Sequence, residues 1–240
     1  MNKLTKFLSL LNEIRKLPRV TLTFMPRFCN NEQETKLLFE SFIKPHPKYK
    51  IVKSKELGVS LIHLSLYSTC EEYLASINGK NSAFYYARKA KNRHYTVSQI
   101  ERNSYLNDIF DINTSMPERQ GKKMSSPYCQ KSERLDDKEN YKYFGVIDAD
   151  GKLRSYCYIG YYGNFAIVSQ LLGHKKYLND GIMYLMMSEI ICELIKEQKV
   201  PYLMYDTFYG AGEGLQMFKK KLGFAPYRVK WKYDDQKTFE

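Results

Sequence analysis

A short basic turn, GHKKYLNDGIMYL, joins a strand-like stretch to a long apolar helix and has the features of an anion site. The first turn of a helix presents free backbone N–H groups and the positive end of the helix dipole, which together suit a pyrophosphate. Gly181 permits close approach of the backbone to a ligand, and Lys175 and Lys176 add positive charge. The alternative is a capped helix, with Asn179 or Asp180 as the N-cap, whose lysines are only solvated.

A carboxylate at the end of a predicted strand is the candidate proton acceptor. Asp206 follows the apolar stretch VPYLMY, and strand ends border the cleft in open α/β sheets. Apolar surroundings would raise the pKa of Asp206 and make its carboxylate a better general base. Glu213 is the second choice. The alternative for Asp206 is a turn or capping carboxylate before a glycine-rich loop.

The loop from Met116 to Tyr128 is a candidate acceptor site, and Tyr128 is included in it. Glu118, Arg119 and Gln120 could bind a carboxylate or phosphate, because a guanidinium contacts such groups in a bidentate manner. The same three side chains would equally serve to tie the loop to the rest of the protein.

The overall composition limits the possible partners and cofactors. The chain has 240 residues and a formal net charge of +12, which attracts polyanions such as nucleic acid or a phosphorylated cofactor, unless the lysine excess serves only solubility. The five cysteines form no CxxC pair and the four histidines have no ligand spacing, so we expect no metal and no disulfide framework. These features favour a reduced, cytoplasmic compartment. No apolar run is long enough for a transmembrane segment.

Hydrophobic patterning predicts alternating strands and helices in the first half of the chain. We expect a strand at RVTLTF, a helix over residues 32–43, a strand over 58–67 and a helix over 103–115. Residues 70–91 are predicted to be helical with a break near Asn78. The second part of that stretch mixes cations with aromatics, which predicts either nucleic-acid stacking or a helix whose aromatics face the core.

From residue 141 onward the predicted order is strand, strand, strand, helix, strand, helix, strand. The long helix after residue 180 is apolar on more than half of its circumference, so it must be covered on two sides. It connects two strands that we expect to be parallel. The sequence therefore predicts an α/β fold with a mixed sheet, in which an N-terminal α/β region (1–135) packs on a C-terminal core (136–240).

This order and the basic turn resemble those of the GNAT acyltransferases, whose cofactor turn follows the pattern R/Q-x-x-G-x-G/A. Lys176 stands at its first position, Asn179 at the second and Gly181 at the third. The resemblance implies acetyl-CoA or another acyl-CoA as donor and direct attack by an amine, without a covalent enzyme intermediate. It also implies that the main chain of Leu171 and Leu172 contacts the acyl carbonyl. Region 1–135 would then be an extension or a degenerate GNAT-like half.

Many members of that superfamily use a tyrosine of the later helix as general acid, and this chain has Phe218 and Lys219 at the matching stretch. Tyr209, in the preceding loop, is the candidate substitute. Lys219 and the two lysines after it would contact cofactor phosphates or tRNA, although such a run is usually a solvated helix face.

The chain also resembles the Fem-type aminoacyl-tRNA-dependent transferases. Two segments carry that resemblance, LASINGKNSAFYYARKAKNRHYTV and YDTFYGAGEGLQMFKKKLGF. It implies a second possible reaction, aminoacyl transfer from charged tRNA. The acceptor in either case is a small-molecule or peptide amine. A third possibility, from another class, is a nucleic-acid-binding or regulatory protein that keeps the fold without turnover.

Overall fold

The computed structural model describes residues 13–26, 31–47, 50, 52–119 and 121–235. Ten strands fall within this part: eight form one mixed sheet in the order β1-β10-β2-β9-β8-β7-β6-β3, and β4 and β5 form a separate two-stranded ribbon. Their bounds are β1 (Arg19–Phe24), β2 (Leu57–His63), β3 (Thr96–Gln99), β4 (Glu118–Arg119), β5 (Lys122–Lys123), β6 (Tyr141–Ile147), β7 (Leu153–Tyr161), β8 (Phe165–Gly173), β9 (Tyr202–Thr207) and β10 (Ala225–Tyr233).

Helices cover both faces of the sheet, and the helices in this account are α1 (Glu32–Ile43), α2 (Cys70–Ser76), α3 (Ala83–Lys91), α4 (Leu106–Thr114), α5 (Ile182–Glu197) and α6 (Glu213–Lys221). The predicted mixed α/β sheet and the predicted order of its C-terminal elements are confirmed. The predicted break between two helices in 70–91 is also confirmed. Two predicted elements are shorter than expected, because 3₁₀ turns occupy Leu64–Leu66 after β2 and Arg102–Tyr105 before α4.

Strands from the first half of the chain are interleaved with those of the second half. β2 lies between β9 and β10 and is antiparallel to both. β1 pairs in parallel with β10 at one edge, and β3 pairs with β6 at the other. The sheet beside β9 is therefore completed by N-terminal residues.

The core consists of one large cluster on one face of the sheet and two smaller clusters on the other. α2, α3, α5 and α6 pack on the first face. Ten of the 16 residues of α5 are buried, as expected for a helix between a sheet and other helices. On the second face α1 covers one cluster and α4 covers the other. This separation leaves room for cavities between α1, α4 and the sheet.

One pair of cysteines contradicts the expectation that the chain has no disulfide. Cys70 of α2 is joined to Cys192 of α5 across 122 residues of sequence. Cys129 and Cys157 are free thiols. Since pairing depends on which helices pack together, the scattered spacing of the cysteines gave no signal for it.

None of the helices in the described part of the chain is long and apolar enough to cross a bilayer. Among the same residues, no three His, Cys, Asp or Glu side chains are grouped so that they could hold a metal ion.

Candidate functional site

Strands β8 and β9 pair over only three residues and then separate. Phe165–Ile167 pairs in parallel with Tyr202–Met204, whereas β8 continues to Gly173 and β9 to Thr207. The sheet therefore has a gap between the carboxyl ends of these two strands, and backbone groups of β8 that face β9 are available there.

A β-bulge in β8 lies next to this gap. Val168 pairs with Ile159 and Gln170 pairs with Tyr158, so that Ser169 is the extra residue. A bulge places two consecutive side chains on the same side of a sheet and is common beside active sites. Ser169 and Gln170 accordingly line two neighbouring cavities on the face covered by α1 and α4.

The first of these, the cleft cavity, has a volume of about 510 Å³ and lies between α1 and the separated ends of β8 and β9. The hydroxyl oxygen of Tyr141 is 2.7 Å from that of Tyr162 and 3.3 Å from that of Ser169. These hydroxyl groups share the cavity with that of Ser41, with the carboxylates of Glu34 and Asp206 and with the ammonium group of Lys55. The lining residues are Glu34, Leu37, Leu38, Ser41, Phe42, Lys55, Tyr141, Tyr162, Ile167, Val168, Ser169, Met204 and Asp206.

Two carboxylates line the cleft cavity. Glu34 forms an ion pair with Lys138, and Asp206, at the end of β9, forms one with Lys55.

The backbone of Asp206 is in the left-handed region (φ 51°), at a β-bulge in β9 between the pair of Met204 with Leu61 and that of Thr207 with Val59. A non-glycine residue in that conformation is uncommon and is often found at functional sites. The apolar surroundings expected from the sequence are wrong, because 59% of the Asp206 side chain is exposed.

Lys55, which sequence reasoning missed, is fixed by its own backbone. Its carbonyl oxygen accepts a hydrogen bond of 2.5 Å from the indole nitrogen of Trp231. Lys55 and Asp206 are 151 residues apart in sequence, so no local pattern indicates their contact.

Lys219 lies behind the end of β9, on the face covered by α6, and is fully buried. Its ammonium group donates a 2.8 Å hydrogen bond to the carbonyl oxygen of Thr207 and lies 4.6 Å from the centre of the Tyr205 ring. Burial lowers the pKa of Lys219 to about 8, partly opposed by the nearby charge of Asp206. The alternative of a solvated helix face is wrong for Lys219, and its contact with cofactor phosphates or tRNA stays a prediction. Lys219 lies one turn from Leu215 and from the buried Leu222, a spacing that marks the inner face of a helix.

The other two candidate catalytic residues lie outside the lining of the cleft cavity. The ring of Tyr209 packs against the α-carbon of Gly58 in β2, and burial raises the pKa of its hydroxyl group. Glu213 is the exposed first residue of α6. Their proposed roles therefore have less geometric support than that of Asp206.

The turn before α5 differs in detail from the predicted anion site. A 3₁₀ turn spans Lys175–Asp180, and the N-cap is Gly181 (φ 90°) instead of Asn179 or Asp180. The amide of Lys175 donates to the Ser115 hydroxyl group (3.1 Å), and the amide of Lys176 to Nδ1 of His174 (3.2 Å). Two of the amides nearest to the predicted ligand are thus bonded to protein groups, while the side chains of both lysines are exposed.

Helix α3 and the residues after it cover this turn. Lys89 donates to the carbonyl oxygen of Asn179 (2.9 Å), and Asp180 is bound by Arg93 and by the Tyr95 hydroxyl group. The carboxylate of Asp180 is therefore unavailable as an N-cap, which explains the failed prediction. Gly181 packs directly against the backbone carbonyl of Tyr86, so no side chain fits there.

The aromatics of α3 face mostly inward. Tyr86 stacks on Tyr184 with ring centres 5.1 Å apart, and Phe84 packs on the large core cluster. Tyr85 is the exception, with 45% of its surface exposed. The interpretation of this segment as a core-facing amphipathic helix therefore fits better than a base-stacking surface.

The predicted acceptor loop is tied to the protein by Arg119. Its guanidinium donates to the backbone carbonyls of Gly173 (3.0 Å) and Ile112 (2.7 Å). Burial lowers the pKa of Arg119. Glu118 is exposed, and Gln120 lies outside the described residues.

Tyr128, at the end of the same loop, lines the cavity under α4. Burial raises the pKa of its hydroxyl group. Among the candidate acceptor-site residues that the structure describes, Tyr128 is the one whose side chain borders a cavity.

Leu171 and Leu172 lie further along β8 than the start of the gap. Leu172 is buried against the cluster under α4, and Leu171 packs on the opposite face. Both pair with β7. The β8 backbone closest to the cleft cavity belongs instead to Val168 and Ser169.

Comparisons with known proteins identify the fold. No family model matches the chain, and no curated protein matches it in sequence. The solved structure of FemX is 10% identical, covers 71% of this chain and 59% of its own, and has a TM-score of 0.54. L-PGS from Bacillus licheniformis is 17% identical, with coverages of 72% and 61% and a TM-score of 0.45. A tandem GNAT protein from the clavulanic acid biosynthesis pathway is 14% identical, with coverages of 72% and 50% and a TM-score of 0.45.

The chain spans about three-fifths of the length of the first two of these structures. At this level of identity the likeness concerns the fold. The fold is similar to that of FemX, in line with the sequence resemblance to the Fem-type transferases.

Proposed function

We propose that this GNAT-like chain transfers an acyl group from an activated donor directly to an amine acceptor in the cleft cavity. The observation that carries the proposal is the separation of β8 and β9 beside a cavity that contains Asp206. The gap offers unpaired β8 backbone to the acyl carbonyl, and a preorganised N–H group stabilises the charge that develops on a carbonyl oxygen.

Asp206 is the proposed general base. An acceptor amine is protonated at neutral pH, so it must lose a proton before its nitrogen can attack the acyl carbon. The carboxylate of Asp206 accepts that proton, and after the attack the second amine proton passes to the donor oxygen or sulfur as its bond to the acyl carbon breaks. Lys55, the present partner of Asp206, occupies the position that suits an ammonium group.

Lys219 is the proposed source of positive potential behind the site. It is a fully buried lysine, and the charges of Asp206 and Lys55 both act on it. At pH 7 a lysine with a pKa of about 8 is mostly protonated. Its ammonium group therefore favours negative charge at the end of β9, where the carbonyl oxygen and the leaving group would lie.

For the donor we favour aminoacyl-tRNA. The amides of Lys175 and Lys176 are already bonded to protein groups, which weakens the turn before α5 as a pyrophosphate site. The net charge of +12 suits a long polyanion, and the sequence resembles the Fem-type transferases.

Acyl-CoA, as acetyl-CoA or another thioester, is the second candidate. The exposed side chains of Lys175 and Lys176 at the opening of α5 favour it. Both donors occur in the cytoplasm, and on that ground we propose a cytoplasmic site of action; the Cys70–Cys192 disulfide does not add to this proposal, because disulfides are uncommon in reducing compartments.

Mass spectrometry of reaction mixtures tests the proposal. The full chain is incubated with a panel of amines and either bulk charged tRNA or a series of acyl-CoA thioesters. An amide product that requires the donor, and that disappears with Asp206→Asn, supports the transferase. If neither donor class gives an amide product and the chain retains uncharged RNA in a salt-sensitive manner, a non-catalytic nucleic-acid-binding protein is favoured.

A further inference from the structure

We propose that the second cavity, between α4 and strands β7 and β8, binds an uncharged aromatic ring of the acceptor amine. The inference rests on the proposed function, because it specifies the acceptor for the same site. The cavity, called here the α4 cavity, has a volume of about 330 Å³. A cavity of about 150 Å³ is enough for benzene, so the α4 cavity has room for a substituted ring.

Aromatic side chains form much of its lining. Tyr156 and Tyr158 of β7 stack with ring centres 5.0 Å apart. Phe110 of α4 and Tyr128 of the following loop add two more rings. Aromatic rings pack favourably against one another in stacked or edge-to-face contacts, which favours a planar ligand over a flexible aliphatic one.

A side-chain amide nitrogen without a hydrogen-bond partner in the described residues lines the α4 cavity and can bind a polar group of a ligand. Asn113 is only 8% exposed, and its side-chain oxygen accepts a 2.7 Å hydrogen bond from the hydroxyl group of Tyr156. Its side-chain nitrogen has no hydrogen-bond partner among the described residues, although the side chain lines the cavity. This nitrogen is accessible from the cavity, so it can donate a hydrogen bond to a ligand oxygen.

Gln170 supplies a second amide from the opposite wall. It is half-buried and lines the α4 cavity, and its side-chain amide has no hydrogen-bond partner in the part of the chain that the structure describes. Two amides that each donate and accept suit a hydroxyl or carbonyl substituent on the ring.

The charges around the α4 cavity exclude an ionic ligand. Its one charged lining residue, Arg102, is ion-paired with Asp137 and lies 3.9 Å from the ring centre of Tyr143 and 5.0 Å from that of Tyr158. No carboxylate lines the cavity. A charged group would lose its hydration there without gaining a partner, so the ring must be neutral.

The bulge in β8 connects this cavity to the site of transfer. Ser169 lines the cleft cavity and its immediate neighbour Gln170 lines the α4 cavity, on the same face of the sheet. Consecutive α-carbons are about 3.8 Å apart. One ligand with a short chain between its amine and its ring therefore spans both cavities.

Direct binding to the full chain tests this inference without any donor. The probes are tyramine, phenethylamine, which lacks the ring hydroxyl, and n-hexylamine, which lacks the ring. We expect tyramine to bind at least tenfold more tightly than n-hexylamine by calorimetry or ligand-observed NMR. Asn113→Leu should weaken tyramine about tenfold and phenethylamine much less, since only tyramine offers an oxygen to this amide.

The matched control is Asn107→Leu, at an exposed position of the same helix, which should leave all three affinities unchanged. If Asn113→Leu does not fold, Gln170→Leu carries the same comparison. Equal binding of tyramine and n-hexylamine, or no effect of either substitution, would overturn the inference. Ring binding without acyl transfer would instead overturn the proposed function alone, and transfer to aliphatic amines without ring preference would overturn the ring pocket alone.

Discussion

The ammonium nitrogen of Lys219 lies 2.8 Å from the carbonyl oxygen of Thr207, at the end of β9 and directly behind the left-handed residue Asp206. A fully buried ammonium group bonded to a strand-end carbonyl is expensive to maintain, since burial opposes its charge. Its presence at the strand that borders the gap is the feature that most clearly distinguishes this end of the sheet from an ordinary core.

The pH dependence of stability reports on Lys219. Its pKa is about 8 in the folded protein against an ordinary value of 10.5, so the unfolded chain binds the additional proton between these two values. The contribution of Lys219 to the free energy of unfolding should therefore rise with pH in this window, by up to about 1.4 kcal/mol per pH unit. Burial raises the pKa of the Cys157 thiol, so ionisation of that thiol in the unfolded chain acts in the opposite direction. The Lys219 contribution is therefore measured as the difference between the wild-type chain and Lys219→Met in urea unfolding between about pH 7.5 and 9.

The comparison with substituted chains makes this prediction specific. Lys219→Met should abolish the rise, whereas Lys220→Met, which changes an exposed neighbour, should retain it. An equal slope in the wild-type chain and in Lys219→Met would mean that other groups cause the pH dependence.

Asp206→Asn tests the general base. Asparagine tolerates the left-handed conformation, so the bulge in β9 should be retained. The ion pair with Lys55 is partly exposed, and its loss should cost at most about 1 kcal/mol of stability. Transfer should nevertheless fall by about 10²- to 10⁴-fold, the usual contribution of a general base.

Two control variants separate the base from the ion pair. Lys55→Gln breaks the same contact but keeps the carboxylate, so it should lose much less activity than Asp206→Asn. Asp150→Asn, in the exposed turn between β6 and β7, should behave like the wild-type chain. Steady-state rates at saturating donor give the comparison, and equal losses in Asp206→Asn and Lys55→Gln would argue against Asp206 as the base.

Local periodicity was sufficient to predict most of the fold, but the candidate site depends on contacts between distant segments. The long apolar pattern of α5 correctly indicated a helix covered on two sides. The pairing of Lys55 with Asp206 and of Cys70 with Cys192 joins residues more than 100 positions apart, and no spacing rule describes such contacts.

The misassigned position of Lys219 has a different cause, since a signal was present. A run of three lysines suggested a solvated face, yet α6 has only one inner face, and Leu215 and Leu222 define it. Placing Lys219 on that face predicts a buried cation. The N-cap prediction at Asp180 failed for a reason that the local sequence does not show. Arg93 and Tyr95, which are distant in the chain, bind its carboxylate.

The disulfide between α2 and α5 predicts a stability that depends on reductant. A link that closes a loop of this length restricts the unfolded chain and is worth up to about 4 to 5 kcal/mol. Urea unfolding with and without dithiothreitol should differ by several kcal/mol in the wild-type chain and in Cys129→Ser, which removes an exposed free thiol. Cys192→Ala should show no such difference. Reductant sensitivity that persists in Cys192→Ala would exclude this pairing.

Gly181→Ala tests whether α3 packs tightly against the turn before α5. The residue has φ 90°, and a β-carbon would meet the carbonyl of Tyr86, so alanine should cost about 2 kcal/mol or more of unfolding free energy. Gly214→Ala is the matched control, because it lies in α6 with open space around the added methyl group and should be neutral or stabilising by up to about 1 kcal/mol. If both substitutions cost equally little, α3 does not pack tightly on this turn. A large cost at Gly181 alone would show that close backbone contact with Tyr86 holds α3 against the start of α5.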